Sequence, residues 1–88
     1  MTHAIIIKEN GTVLRVEPQN GKTFSLKELQ TAVGGYIEVG HTHDGDYIVM
    51  DEEGKLKGKE INALATAMYR YNDIVVGDVL VCPTSMIE

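Results

Sequence analysis

Val33-Gly34-Gly35-Tyr36-Ile37-Glu38-Val39-Gly40 ends one kind of structure and begins another. Leu26, Leu29, Ala32 and Val33 recur at helical spacing up to the paired glycines, and Gly34 has the left-handed freedom a helix end demands. From Tyr36 the period changes to two, with Ile37 and Val39 on one side and Tyr36 and Glu38 on the other. A helix that stops into a strand without a linker fixes how the rest of the chain is read.

Upstream, Ser25 followed by Glu28 is a Ser-x-x-Glu capping box, with Phe24 placed to staple onto Leu29. This predicts a helix over 26–33. Before it, Ala4-Ile5-Ile6-Ile7-Lys8 reads as a buried strand. Asn10-Gly11 is a tight hairpin turn, and Thr12 to Glu17 returns with Leu14 and Val16 on one face. Pro18 ends the pairing. Downstream, Asp44-Gly45-Asp46 turns the strand that starts at Tyr36, and Tyr47 to Asp51 pairs back. Leu56 is expected to extend a third short ribbon after the Glu53-Gly54 turn. A second helix is predicted from about Asn62 to Tyr71, capped by Asn62, with Leu64, Ala65, Met68 and Tyr71 on one stripe. Val79-Leu80-Val81-Cys82 closes the chain as a strand before Pro83.

The expected architecture is α+β in the order β-β-α-β-β-α-β. It has a mainly antiparallel sheet of about five strands, with two short helices on one face. The expected core is Ile5, Ile7, Leu14, Val16, Leu29, Val33, Ile37, Val39, Leu64, Met68, Val79 and Val81. Eighty-eight residues suffice for one domain with one small core.

Composition bounds the function. Hydrophobic residues make up 43% and charged residues 24%, as in ordinary globular domains. Thirteen acids against eight bases give a net charge of −5, which argues against a phosphate-backbone binder. No apolar run approaches the roughly 20 residues of a membrane helix. A lone cysteine, Cys82, forms no internal disulfide, so a cytoplasmic location is expected. Between Glu38 and Glu53 stand six acids and no Lys or Arg, with Lys55, Lys57 and Lys59 just beyond.

Several of these blocks together resemble a family of small proteins from bacteria, phages and mobile elements, catalogued as domain of unknown function 3846. They are Ala-Ile-Ile-Ile-Lys at 4–8, Leu-x-x-Leu-Gln at 26–30 and Val-Gly-Gly-Tyr-Ile-Glu at 33–38. Further on come Glu-Glu-Gly-Lys-Leu-Lys-Gly at 52–58, Asn62 with Ala65-Thr66, and Val-Gly-Asp-Val-Leu-Val at 76–81. Glu60-Ile61 stands where the family often has Leu-Pro. The resemblance implies a mobile-element background and brings no active site with it.

Three constellations carry possible chemistry. His41 and His43 on one strand face, with Asp46, offer a metal two imidazoles and a carboxylate. A structural site wants four ligands, so a polar hairpin tip is the simpler explanation. Glu38 near Tyr36, Tyr47, Tyr69 and Tyr71 suggests a ligand clamp or a general acid–base pair. Wet tyrosine hydroxyls and a solvated carboxylate explain it more simply. The acidic band, with Asp51, Glu52 and Glu53 at its end, offers either a solvated face or a docking surface that steers a partner. Asn62, Thr66 and Ser25 have capping or intrahelical bonding as sufficient roles, and Cys82 reads as a small buried hydrophobe. No nucleophile–base–orienter set can be assembled, so the expectation is a non-catalytic protein that needs no cofactor. It binds a host protein or a second copy of itself through Tyr36, Glu38, Asp51, Glu52 and Glu53, and neither nucleic acid nor membrane. The alternative is a small-molecule or metal-binding module using the His41–Asp46 hairpin.

Overall fold

A computed structural model describes residues Met1–Glu88. Strands β1 (Ala4–Ile7) and β2 (Val13–Val16) form the first hairpin, and α1 (Leu26–Val33) follows. Strands β3 (Ile37–His41) and β4 (Tyr47–Asp51) form the second hairpin, then come α2 (Ala63–Met68) and β5 (Val79–Cys82). A single 3₁₀ turn, Thr84–Met86, ends the chain.

The five strands make one sheet in the order β2-β1-β5-β4-β3, antiparallel throughout. The last strand in sequence is therefore the middle one in space. It lies between the two hairpins, and all four of its residues are buried. Period-two alternation splits them. Val79 and Val81 pack with Ile7, Ile48, Met50, Ala65 and Val75, whereas Leu80 and Cys82 pack with Ala4, Phe24, Leu29, Val33 and Val49.

This corrects one expectation. The class and the order of elements stand, but the two helices do not share a face. Leu29 and Val33 of α1 cover one side of the sheet, and Ala65 of α2 covers the other. The signal was present in the unbroken apolar run of β5, because a strand covered on one face only would alternate with polar residues. Helix α2 has only six residues, so Tyr69 and Val75, beyond its end, finish the second layer.

The predicted α1 boundaries match. Ser25 Oγ accepts from the Glu28 N–H at 3.1 Å and Glu28 Oε1 accepts from the Ser25 N–H at 3.2 Å. Gly34 caps the far end at φ 80°, its N–H donating to Gln30 at 2.8 Å. Phe24 and Leu29 are buried in one cluster, as the staple requires.

Elsewhere the periodicity overreached. Leu14, Val39 and Leu64 are exposed, and Ile5, Val16, Ile37 and Met68 only half-buried. Leu14 and Val39 sit on the two edge strands, where the face they share with buried neighbours is left uncovered. Leu26 also faces solvent. Tyr71 lies beyond α2, whose C-cap is Tyr69. Leu56 extends no ribbon: residues 52–58 form a turn.

Candidate interaction surface

The acidic band does not stay a uniform surface. Asp51 ends β4 on the face covered by α1, and its side chain is fully buried. Its Oδ2 pairs with the ammoniums of both Lys57 and Lys59 at 2.8 Å, and its Oδ1 accepts the Glu53 N–H at 2.9 Å. Burial alone would raise this carboxyl. The bonds from Lys57, Lys59 and the Glu53 N–H outweigh it and hold Asp51 at about 2. The hydrogen bond to Asp51 likewise raises the Lys57 ammonium above the ordinary lysine value.

The same two ammoniums reach back to α1. Lys59 Nζ donates to the Val33 carbonyl at 2.6 Å and Lys57 Nζ to the Gly34 carbonyl at 3.3 Å. Carbonyls at a helix C-terminus lack partners within the helix and carry the negative end of its dipole, so cations fit there. The paired glycines now separate into two roles. Gly34 supplies the left-handed cap. A Cβ on Gly35 would lie 2.5 Å from Lys57 Nζ and 2.9 Å from each Asp51 oxygen, so only glycine leaves room for the ion cluster. Gly77 makes room in the same way for the Lys59 stem, where a Cβ would stand 2.7 Å from Cδ.

Lys55, the third lysine of the run, grips Asp73 through both carboxylate oxygens at 2.8 Å. Three backbone bonds, Lys57 N–H to Glu53, Gly58 N–H to Lys55 and Lys59 N–H to Gly54, close the turn on itself. Leu56 stands at its tip, 88% exposed, between two lysines drawn away to carboxylates. The next residue, Lys57, lines a shallow recess of about 250 Å³ with Tyr36, Gln30, Gly35 and Glu53, and Tyr36 is 67% exposed. Glu52 and Glu53 are exposed and form no ion pair.

Of the five predicted binding residues, the structure thus gathers Tyr36 and Glu53 on one surface, with Glu52 next in the chain. Asp51 is a correction: it lies beneath that surface as a brace and has no free oxygen for a partner. Glu38 is on the opposite face of the sheet. There it lines a cavity of about 300 Å³ with Glu52, Lys55, Tyr69 and Asp73 over a floor of Met50, Val75 and Val76. The Tyr69 ring rests where a Gly40 Cβ would be, 2.7 Å from Cε1. Burial, with the nearby charges of Glu38 and Asp73, raises its phenol above the ordinary tyrosine value.

The proposed metal ligands are not brought together. No group of three or more His, Cys, Asp or Glu side chains is placed to hold a metal ion. His41 is the last residue of β3 and packs against the Tyr47 ring at 5.2 Å. His43 is already in the turn, its N–H bonded to the Met68 carbonyl, so strand alternation no longer governs it. Asp46 lies 3.8 Å from the N-terminal ammonium.

Asn62 does more than cap. Its Oδ1 accepts from the Ala65 N–H at 3.1 Å, and its Nδ2 donates to Ile7 at 3.0 Å and to Gly77 at 2.9 Å. It thereby ties α2 to the end of β1 and to the approach to β5. Thr66 does not bond within its helix as expected. Its hydroxyl exchanges bonds with the N–H and carbonyl of Val75. Both roles depend on segments distant in sequence, and only the residue types hinted at them. Cys82 is buried, and burial pushes its thiol up to about 11.

The blocks that carried the resemblance are thus the ones that hold each other in place. A family model described as Domain of unknown function (DUF3846) matches residues 1–86. This chain belongs to that family. No curated protein matches it, and no solved structure does. Within this member of DUF3846, Gly34, Gly35, Lys57, Asn62 and Gly77 all have structural employment. No helix is long and apolar enough to cross a membrane.

Proposed function

We propose that this DUF3846 domain is a non-catalytic protein-interaction module whose docking end is the surface around Tyr36 and Leu56. For a mobile-element product, the background implied by the resemblance, the natural partner is a host protein. The observation that carries the reading is Leu56, 88% exposed at the tip of a turn whose flanking lysines are both tied to carboxylates. A large apolar side chain left in water adds nothing to its own core. The turn that carries it is closed by its own backbone hydrogen bonds, so a pocket that receives Leu56 does not have to order that backbone, which is how preorganised anchors gain affinity. Tyr36 suits the same role, and the free carboxylate of Glu53 in the recess beside it favours a partner with a basic surround. Two ionisable groups with the chemistry for catalysis are spent elsewhere: Asp51 on its brace, and Cys82 in the core.

A photo-crosslinking residue at position 56, with one at Lys22 on a distant exposed turn as control, tests this in cells that carry the gene. One discrete protein captured from position 56 only, and lost from a position-36 crosslinker when Leu56→Asp is added, is the expected result. Equal capture from both positions, or none, overturns it.

A further inference from the structure

Strand β2 is the one strand of the sheet without a buried residue: Val13, Leu14 and Arg15 are exposed and Val16 is half-buried. The Lys8 N–H bonds the Thr12 carbonyl at 2.8 Å. Backbone groups alternate sides along an antiparallel ladder, so Leu14 and Val16 spend theirs on β1. Those of Val13, Arg15 and Glu17 face the open edge. Pro18, which has no N–H, falls on the β1 side of this alternation, so the open edge keeps its full set of donors and acceptors through Glu17.

Edge strands with charges usually deter pairing. Here the two charges are opposite in sign and two residues apart on one side of the strand. Arg15 reaches Glu17 at 4.0 Å and His3 Nδ1 at 2.9 Å, and both Arg15 and Glu17 side chains are largely in water. A strand that carries plus and minus at i and i+2 is complementary to itself run backwards about the residue between them.

We propose that two copies of this chain pair β2 with β2, antiparallel about a two-fold axis through Val16, into one continuous ten-stranded sheet. Arg15 of each copy then stands opposite Glu17 of the other, and four backbone hydrogen bonds join them. A register that set Arg15 against Arg15 is disfavoured by like charge. On the α1 face, Val16 meets Val16 of the second copy. An apolar groove of about 370 Å³ lies beside the seam, between β2 and α1, with Ile6, Val16, Phe24, Ala32 and Leu80 in its lining. Leu14 of the second copy, opposite Pro18, faces the Gln19 end of that groove. Such an interface is isologous, the commonest kind among homodimers. Strands β2 and β3 are opposite edges of the sheet, so the dimer leaves β3 at its two outer ends. The proposal stands independently of the Tyr36–Leu56 docking reading.

Sedimentation equilibrium over a concentration series, on the full chain, tests it. The natural chain is expected to dimerise. Arg15→Glu and Glu17→Arg, each alone, should weaken the dimer about tenfold or more. The double exchange Arg15→Glu with Glu17→Arg should restore it, which a general loss of folding does not do. Oxidation of Val16→Cys should link two copies, whereas Leu14→Cys should not, and buried Cys82 does not compete. A natural chain that is monomeric throughout, single variants that dimerise unchanged, or crosslinking through position 14 in place of 16 would each overturn the proposal.

Discussion

The Lys59 ammonium lies 2.8 Å from the Asp51 carboxylate and, with the same charge, 2.6 Å from the Val33 carbonyl. One side chain thus joins the end of β4 to the C-terminus of α1, elements that the chain order places on either side of β3. Lys57 repeats the arrangement with Gly34. The pair of lysines substitutes for the basic residue that the last turn of α1 lacks.

That brace makes stability sensitive to acid. Asp51 is held at about 2 against an ordinary 3.8, and a depression of that size corresponds to about 2 kcal/mol. A lowered folded-state value means the contribution is complete above pH 3.8 and lost as the pH falls toward about 2. Denaturant titrations across that window should show stability dropping in the natural chain and a flatter profile in Asp51→Asn. At neutral pH the same variant should be about 2–3 kcal/mol less stable, the lysines being left beside helix carbonyls without their counter-ion.

Replacing Gly34 by Val should cost about 1 kcal/mol or more through its left-handed backbone alone. Gly35→Ala acts by a different route, pushing on Lys57 and Asp51. In a double-mutant cycle Gly35→Ala should therefore couple with Lys57→Ala, the combined loss falling short of the sum. Gly34→Val should add to Lys57→Ala more nearly independently. Strict additivity for Gly35 would show that the space it leaves is not used by the ion cluster.

Asn62→Ala removes a cap and abandons two buried carbonyls, those of Ile7 and Gly77. A loss of about 3 kcal/mol is expected, read from the urea midpoint at unchanged slope. Asn62→Asp keeps the capping acceptor yet supplies no donor, so it should recover little of this loss. Full recovery by Asp would reduce Asn62 to a helix cap.

Gly40→Ala should displace the Tyr69 ring from β3, at a cost of about 1–3 kcal/mol. Ultraviolet titration of the phenols then gives an independent check. The most resistant tyrosine of the natural chain should move back toward the ordinary value of 10.0 once its ring is driven into water. An unchanged titration would mean that the ring does not rest on Gly40.

Local features were legible in the sequence alone. The Ser25–Glu28 box, the Gly34 stop, the Asn10-Gly11 and Asp44-Gly45-Asp46 turns and the strand periods depend on residues a few positions apart, and α1 and both hairpins follow from them. The apolar run 79–82 also announced a strand. What it did not announce was that the strand lies at the centre of the sheet, between β1 from the start of the chain and β4 from its middle. Its unbroken apolarity implied cover on both faces, but not that α1 supplies one layer and α2 the other. Those are outcomes of how two hairpins bury the most apolar area, a sum over the whole chain. The exchange of roles around Asp51 has the same origin. Among the six acids between Glu38 and Glu53, nothing local distinguishes the one that two lysines and a helix end enclose. Sequence alone determined where α1 and the five strands form, because hydrogen bonds and side-chain periods are local. Tertiary structure decided which charges are buried braces and which side chains, Leu56 and Tyr36 above all, are left facing water, because burial is a property of neighbours brought together only by folding.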